Sequence, residues 1–173
     1  MRNTIALKVR LERDKEKPGE AYLDFLLTVD GEYLHEETHW VDPVDLVMSV
    51  GMSGEHYIFT CSCGDPSCVG IDEGVHVTHT EREVRWRVRN PLAFTPEEPL
   101  PDWTHYDEYA FDRHQYAEAI RAGLASAKGF ARAWRGPGEL WVGPDLDPDE
   151  LHALEVPETF GHGMLEEDGE VIQ

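Results

Sequence analysis

The residues best suited to chemistry are three cysteines between positions 61 and 68. Cys61, Cys63 and Cys68 form a C-x-C-x4-C pattern and are the only cysteines in the chain. If Cys61-Ser62-Cys63 lies on a strand, both sulfurs point to one face. Gly64-Asp65-Pro66-Ser67 is a turn that brings Cys68 back towards them. Three thiolates in one turn suit Zn²⁺, which takes four sulfur or nitrogen ligands in a tetrahedron. His79 is the preferred fourth ligand because it shares strand parity with Val75 and Val77; His56 and Asp65 are weaker alternatives. The competing reading is a set of buried thiols, since Tyr57 and Phe59 share the parity of Cys61 and Cys63. A redox pair at C-x-C is a third, with no other residue to support it.

The pentapeptide His35-Glu36-Glu37-Thr38-His39 fits H-E-x-x-H, the pattern of zinc metalloproteases. On a helix, His35 and His39 would stand one above the other on zinc, and Glu36 would act as general base on the bound water. That chemistry defines the alternative function, a zinc-dependent hydrolase. It requires a helix between Gly31 and Pro43, a stretch that also holds the β-formers Tyr33, Trp40 and Val41. The competing reading is a polar, exposed strand. No G-x-S-x-G, phosphate-binding glycine loop or dinucleotide fingerprint is present. Gly161-His162-Gly163 lies in a polar terminal stretch and reads as solvated.

The elements that must position these residues can be read from periodicity. Ile5, Leu7, Val9 and Leu11 share one parity, as do Ala21, Leu23, Phe25, Leu27 and Val29, which predicts a hairpin around Pro18-Gly19. Asp30-Gly31 turns the chain into a third strand over Glu32 to Val41. Asp42-Pro43 starts a short helix with an apolar stripe at Val44, Val47, Met48 and Met52. Strands follow at Tyr57 to Cys63, Val75 to Val77 and Val84 to Arg89, then a proline-rich loop from Pro91 to Pro101. The clearest helix starts at the cap Asp112, with Gln115 completing a capping box and Phe111 stapled to Tyr116. Its stripe runs through Ile120, Leu124, Ala127, Ala131 and Trp134, and Gly136-Pro137 stops it. Glu139 to Val142 is a last strand, and Asp147-Pro148 caps a short helix through Leu154. The fold class is therefore α+β: an antiparallel sheet from two β-rich segments against one long helix in the C-terminal half. Residues 1–160 form one domain, and 161–173 are a polar, acidic tail.

Phe59-Thr-Cys-Ser-Cys-Gly-Asp-Pro-Ser-Cys68, followed by Gly70-Ile71 and the Val84-Arg-Trp86 strand, resembles an arrangement that recurs in small bacterial proteins. The resemblance covers roughly a fifth of the chain and implies no activity. What it implies is that the cysteine turn is a structural hallmark.

Charge limits the partners. With 15 Lys and Arg against 35 Asp and Glu in 173 residues, the net charge is −20. Such a chain does not bind nucleic acid through phosphate contacts, and it is not drawn to an anionic membrane. From Pro18 to Glu81, and again from Gly136 to the end, there is no Lys or Arg. Segregated charge of this kind suits a binding protein for a basic partner, in the manner of immunity proteins and inhibitors. Arg85, Arg87 and Arg89 are expected on a solvent face, paired with carboxylates. The absence of an apolar leader and the clustered, odd-numbered cysteines point to a reducing, cytoplasmic setting.

Overall fold

The computed structural model describes residues 1–95 and 99–158. Strand β1 (Ile5–Arg13) pairs antiparallel with β2 (Ala21–Val29) through every residue, Ile5 opposite Val29 and Arg13 opposite Ala21. This register keeps Ile5, Leu7, Leu23, Phe25 and Leu27 on the buried face. The expected third strand is broken. Only β3 (Glu32–Tyr33) pairs with β2, and the chain resumes strand form at β4 (Trp40–Val41) after a turn.

Helix α1 (Pro43–Gly51) begins as expected: Asp42 accepts from the N–H groups of Val44 and Asp45. Its buried face differs from the expected stripe. Leu46, Val47 and Val50 point inward, whereas Met48 and Met52 are exposed. Strands β5 (Gly54–His56) and β6 (Phe59–Thr60) are short, and β6 pairs with β4. Strands β7 (Val75–His79) and β8 (Glu83–Asn90) match the expectation, and β8 is flanked on its other side by β9 (His105–Asp112). The β9 strand has no counterpart in the sequence reading.

Helix α2 (Arg113–Ala133) starts at Asp112, whose carboxylate accepts from His114 and Gln115 N–H. Gln115 does not return to the cap. Its amide instead joins the edge of β1, donating to Ile5 O at 2.6 Å. The staple is present, with the Phe111 and Tyr116 rings 5.4 Å apart. The short β10 (Leu140–Trp141) runs parallel to β2, and α3 (Pro148–Ala153) carries a full capping box from Asp147 and Glu150.

Beside the two-stranded sheet β4-β6, the α+β architecture is thus two four-stranded sheets, antiparallel except for β10, under one long helix. One has the order β1-β2-β10, with β3 on β2; the other has the order β5-β7-β8-β9. Among the described residues they meet at one bridge, between Asn3 and Phe111. Asn3 N–H donates to Ala110 O at 2.7 Å, and Ala110 N–H returns to Asn3 Oδ1 at 2.9 Å. Helix α2 lies across the junction. Its residues Tyr116, Ile120, Leu124 and Ala127 are buried against Ile5 and Leu7 of one sheet and Trp86 and Phe111 of the other. At Gly123 the helix comes so close to β1 that a Cβ would run into the Leu7 side chain. No helix among the described residues is long and apolar enough to cross a membrane.

On the outer face of the second sheet the arginines are paired, though not all are at the surface. Arg85 meets Glu83, and Arg87 lies 3.5 Å over the Tyr106 ring. Arg89 is only 5% exposed and is held by Asp72 and Glu73.

Candidate metal centre

The cysteine turn hangs from the end of β6, and its backbone explains why the sulfurs converge. Residues 61–63 are not a strand, so the shared parity expected for Cys61 and Cys63 does not apply. Instead Gly64 N–H closes a turn on Cys61 O at 3.1 Å. Asp65 then caps a 3-10 turn over Pro66–Val69, its carboxylate accepting from Ser67 N–H at 2.9 Å and Ser67 Oγ at 2.7 Å. That turn lifts Cys68 back over Cys63. Gly70 ends it at φ 76, where a side chain would collide with the Phe94 carbonyl.

The result is a compact trithiol. The three Sγ atoms lie within 4.8 Å of one another, and Cys63 and Cys68 are separated by 3.7 Å. With Zn–S bonds of about 2.3 Å, tetrahedral geometry places thiolates about 3.8 Å apart. The three cysteines are therefore close enough to hold one metal ion. Cys61 is buried, while Cys63 and Cys68 are exposed, so the group has a closed side and an open side.

Its electrostatics are uneven. Burial opposes ionisation of Cys61, but hydrogen bonds from the Cys63 thiol and from the N–H groups of Cys63 and Asp65 outweigh it and hold the thiol below its ordinary value. The Cys63 N–H reaches Cys61 Sγ at 3.2 Å. Cys68 is the opposite case. Its hydrogen bonds to Cys63 and Cys61, with burial and the neighbouring charges, push it up to about 12. Cys61 is thus the sulfur eased towards ionisation, and Cys68 the one that resists it.

Among the described residues, no fourth side chain joins the three cysteines. His79, the preferred ligand from strand parity, lies on β7 in the other sheet. Its Nε2 donates to Ser49 O on α1 at 2.9 Å, so pairing with β5 and β8 turns it towards a helix and away from the cysteine turn. His56 is bound in the same way, with Nε2 3.1 Å from Met52 O. Asp65 does neighbour the cysteines, but it serves as the cap of the 3-10 turn.

The H-E-x-x-H segment takes neither of the expected forms. Residues 34–39 form a turn, in which His39 N–H donates to Glu36 O at 3.0 Å and Glu36 N–H to His39 Nδ1 at 3.3 Å. His35 Nδ1 donates to Glu36 O at 3.1 Å, and its ring packs 5.3 Å from that of Phe59. His39 is buried, and burial holds both imidazoles below their ordinary value. Without a helix, His35, Glu36 and His39 do not form the stacked metal pair and adjacent base of a metalloprotease. The expected tail over 161–173, with His162, lies outside the described residues. No family model, curated protein or solved structure matches this chain, so the resemblance at the cysteine turn attaches it to no family.

Proposed function

We propose that this chain is an acidic interaction protein in which a Zn²⁺ ion, held by Cys61, Cys63 and Cys68, fixes the turn that follows β6. The observation that carries the reading is the 3.7 Å separation of Cys63 and Cys68 within a trithiol whose sulfurs all lie within 4.8 Å. A disulfide would bring two sulfurs to about 2.05 Å, and a role as buried thiols does not fit Cys63 and Cys68, which are exposed. The fourth ligand comes from outside the described residues, either as water or as a donor from a partner. Carboxylates near the turn favour a cation: Asp65 lies within it, and Asp145 packs against Gly64. Asp145, Asp147, Asp149 and Glu150 are all exposed and extend the negative surface from the turn onto α3. A basic protein is the partner that such a surface attracts.

The metal is tested by elemental analysis of protein purified without chelators, in the wild type and in a Cys63→Ser, Cys68→Ser variant checked for folding by circular dichroism. One zinc per chain that disappears in the variant supports the site. A folded wild type without metal, or metal that survives the substitutions, overturns it. The partner is tested by capture at low ionic strength, comparing wild type with Asp149→Lys, which leaves the Asp147 cap in place. Salt-released binding of a basic protein that the variant loses supports the reading, and binding indifferent to salt and to the variant refutes it.

A further inference from the structure

The outer face of the β1–β2–β10 sheet contains a cavity of about 740 Å³, in the range of small-molecule sites. Its floor is aromatic. Parallel pairing places Trp141 opposite Tyr22, and Trp40 of β4 meets both rings edge-on, at 4.8 Å from Trp141 and 5.4 Å from Tyr22. All three rings remain half-buried and line the cavity.

The rim is unusual for a chain of net charge −20: Arg10, Arg13, Lys15 and Lys17 all line it. Its carboxylates are already engaged. Asp24 and Glu12 hold Arg10 at 2.7 and 3.5 Å, and Glu20 holds Lys17 at 3.3 Å. Asp14 accepts from the N–H groups of Glu16 and Lys17. Arg13 and Lys15 are exposed and form no ion pair among the described residues. The rim thus carries four cations and four carboxylates, and Arg13 and Lys15 are the cations on it that no carboxylate engages among the described residues. Ser62, between two of the cysteines, adds a hydroxyl to the wall.

The geometry points to a binding site for a small aromatic anion: a planar ring packed on Trp40, Trp141 and Tyr22, with its carboxylate or phosphate held by Arg13 and Lys15. Packing on aromatic faces is tolerant of ring type, and a forked guanidinium suits either anion.

The test is a titration at low ionic strength, followed by calorimetry and tryptophan fluorescence. The probes are adenosine 5′-monophosphate, 4-hydroxybenzoate, adenosine and inorganic phosphate. Saturable one-site binding of the first or second is expected, with adenosine and inorganic phosphate about tenfold weaker or more, equivalent to ~1.4 kcal/mol. Preference for the nucleotide assigns a phosphate ester, and preference for the benzoate assigns a carboxylate. Arg13→Ala, Lys15→Ala removes only exposed side chains and should weaken binding about tenfold without unfolding the protein. Trp141→Leu should weaken it independently of salt. The proposal is overturned if neither aromatic anion saturates, if phosphate binds as tightly as the nucleotide, or if the double variant binds unchanged.

Discussion

Replacing Asp42 by Asn should stabilise this protein at neutral pH and not in acid. The Asp42 carboxylate caps α1, accepting from Val44 N–H at 2.8 Å and Asp45 N–H at 3.2 Å. Burial raises its pKa from the ordinary 3.8 to about 6, helped by the charges of Asp45 and Asp145 and opposed by the two cap hydrogen bonds. The folded state thus holds the proton more tightly than the unfolded chain. Stability is highest where Asp42 is protonated in both states, and it is lost as pH rises through 6. At about 1.4 kcal/mol per pH unit, the ionised carboxylate costs about 3 kcal/mol at neutral pH. Asparagine caps a helix as well as aspartate does and carries no charge to desolvate. The favourable interaction of the carboxylate with the helix end is already contained in that figure. Asp42→Asn should therefore gain roughly 2–3 kcal/mol in urea unfolding at about pH 8, falling towards zero near pH 4. A gain of equal size at both pH values, or a loss at pH 8, would refute the reasoning.

Two further substitutions probe the core and the cysteine turn. Trp86 Nε1–H donates to Tyr116 OH at 3.1 Å, and Tyr116 shares a 2.7 Å hydrogen bond with Ser49, which donates to Leu46 O. Tyr116→Phe leaves the Trp86 N–H unpaired in the core and should cost about 1–3 kcal/mol, read as a lower Tm. Gly70→Ala forces a side chain against the Phe94 carbonyl at a positive φ, and should cost more than about 1 kcal/mol and weaken metal retention. Gly129→Ala, in open space on α2, should instead gain up to about 1 kcal/mol by thermal melt.

The elements with strong periodicity or caps were legible from the sequence. The alternation from Ile5 to Leu11 and from Ala21 to Val29 reflects one buried face, and Asp42, Asp112 and Asp147 announce their helices because each carboxylate meets orphan N–H groups. Strand β9 was hidden because its residues before Phe111 are mostly half-buried or exposed and include Asp107 and Glu108. It owes its existence to pairing with β8, and no local pattern carries that information. At the cysteines, the convergence was legible and its cause was not. The sulfurs meet through the Asp65 cap and the Gly70 stop rather than through strand parity, and parity failed again at His79 because that residue belongs to the other sheet. The H-E-x-x-H match failed because its spacing stacks two histidines only on a helix, and residues 34–39 between β3 and β4 are spent on a turn. The aromatic cavity depends on β10 lying parallel to β2, a pairing that brings Trp141 to Tyr22 across most of the chain.

The bridge between Asn3 and the β9 strand also orders events during synthesis. The β1–β2 hairpin is made before the elements that cover it, and Ala110, which pairs with Asn3 just ahead of β1, is encoded 107 positions after it. At roughly 5–20 residues per second, the apolar face of the hairpin waits on the order of 5–20 s for β9 and α2. Throughout that interval the nascent chain displays Ile5, Leu7, Leu23 and Phe25 beside the edge strand β1, the combination that invites intermolecular pairing. Lys8 and Arg10, which alternate with those apolar residues along β1, put like charge on every nascent copy and discourage two such edges from joining.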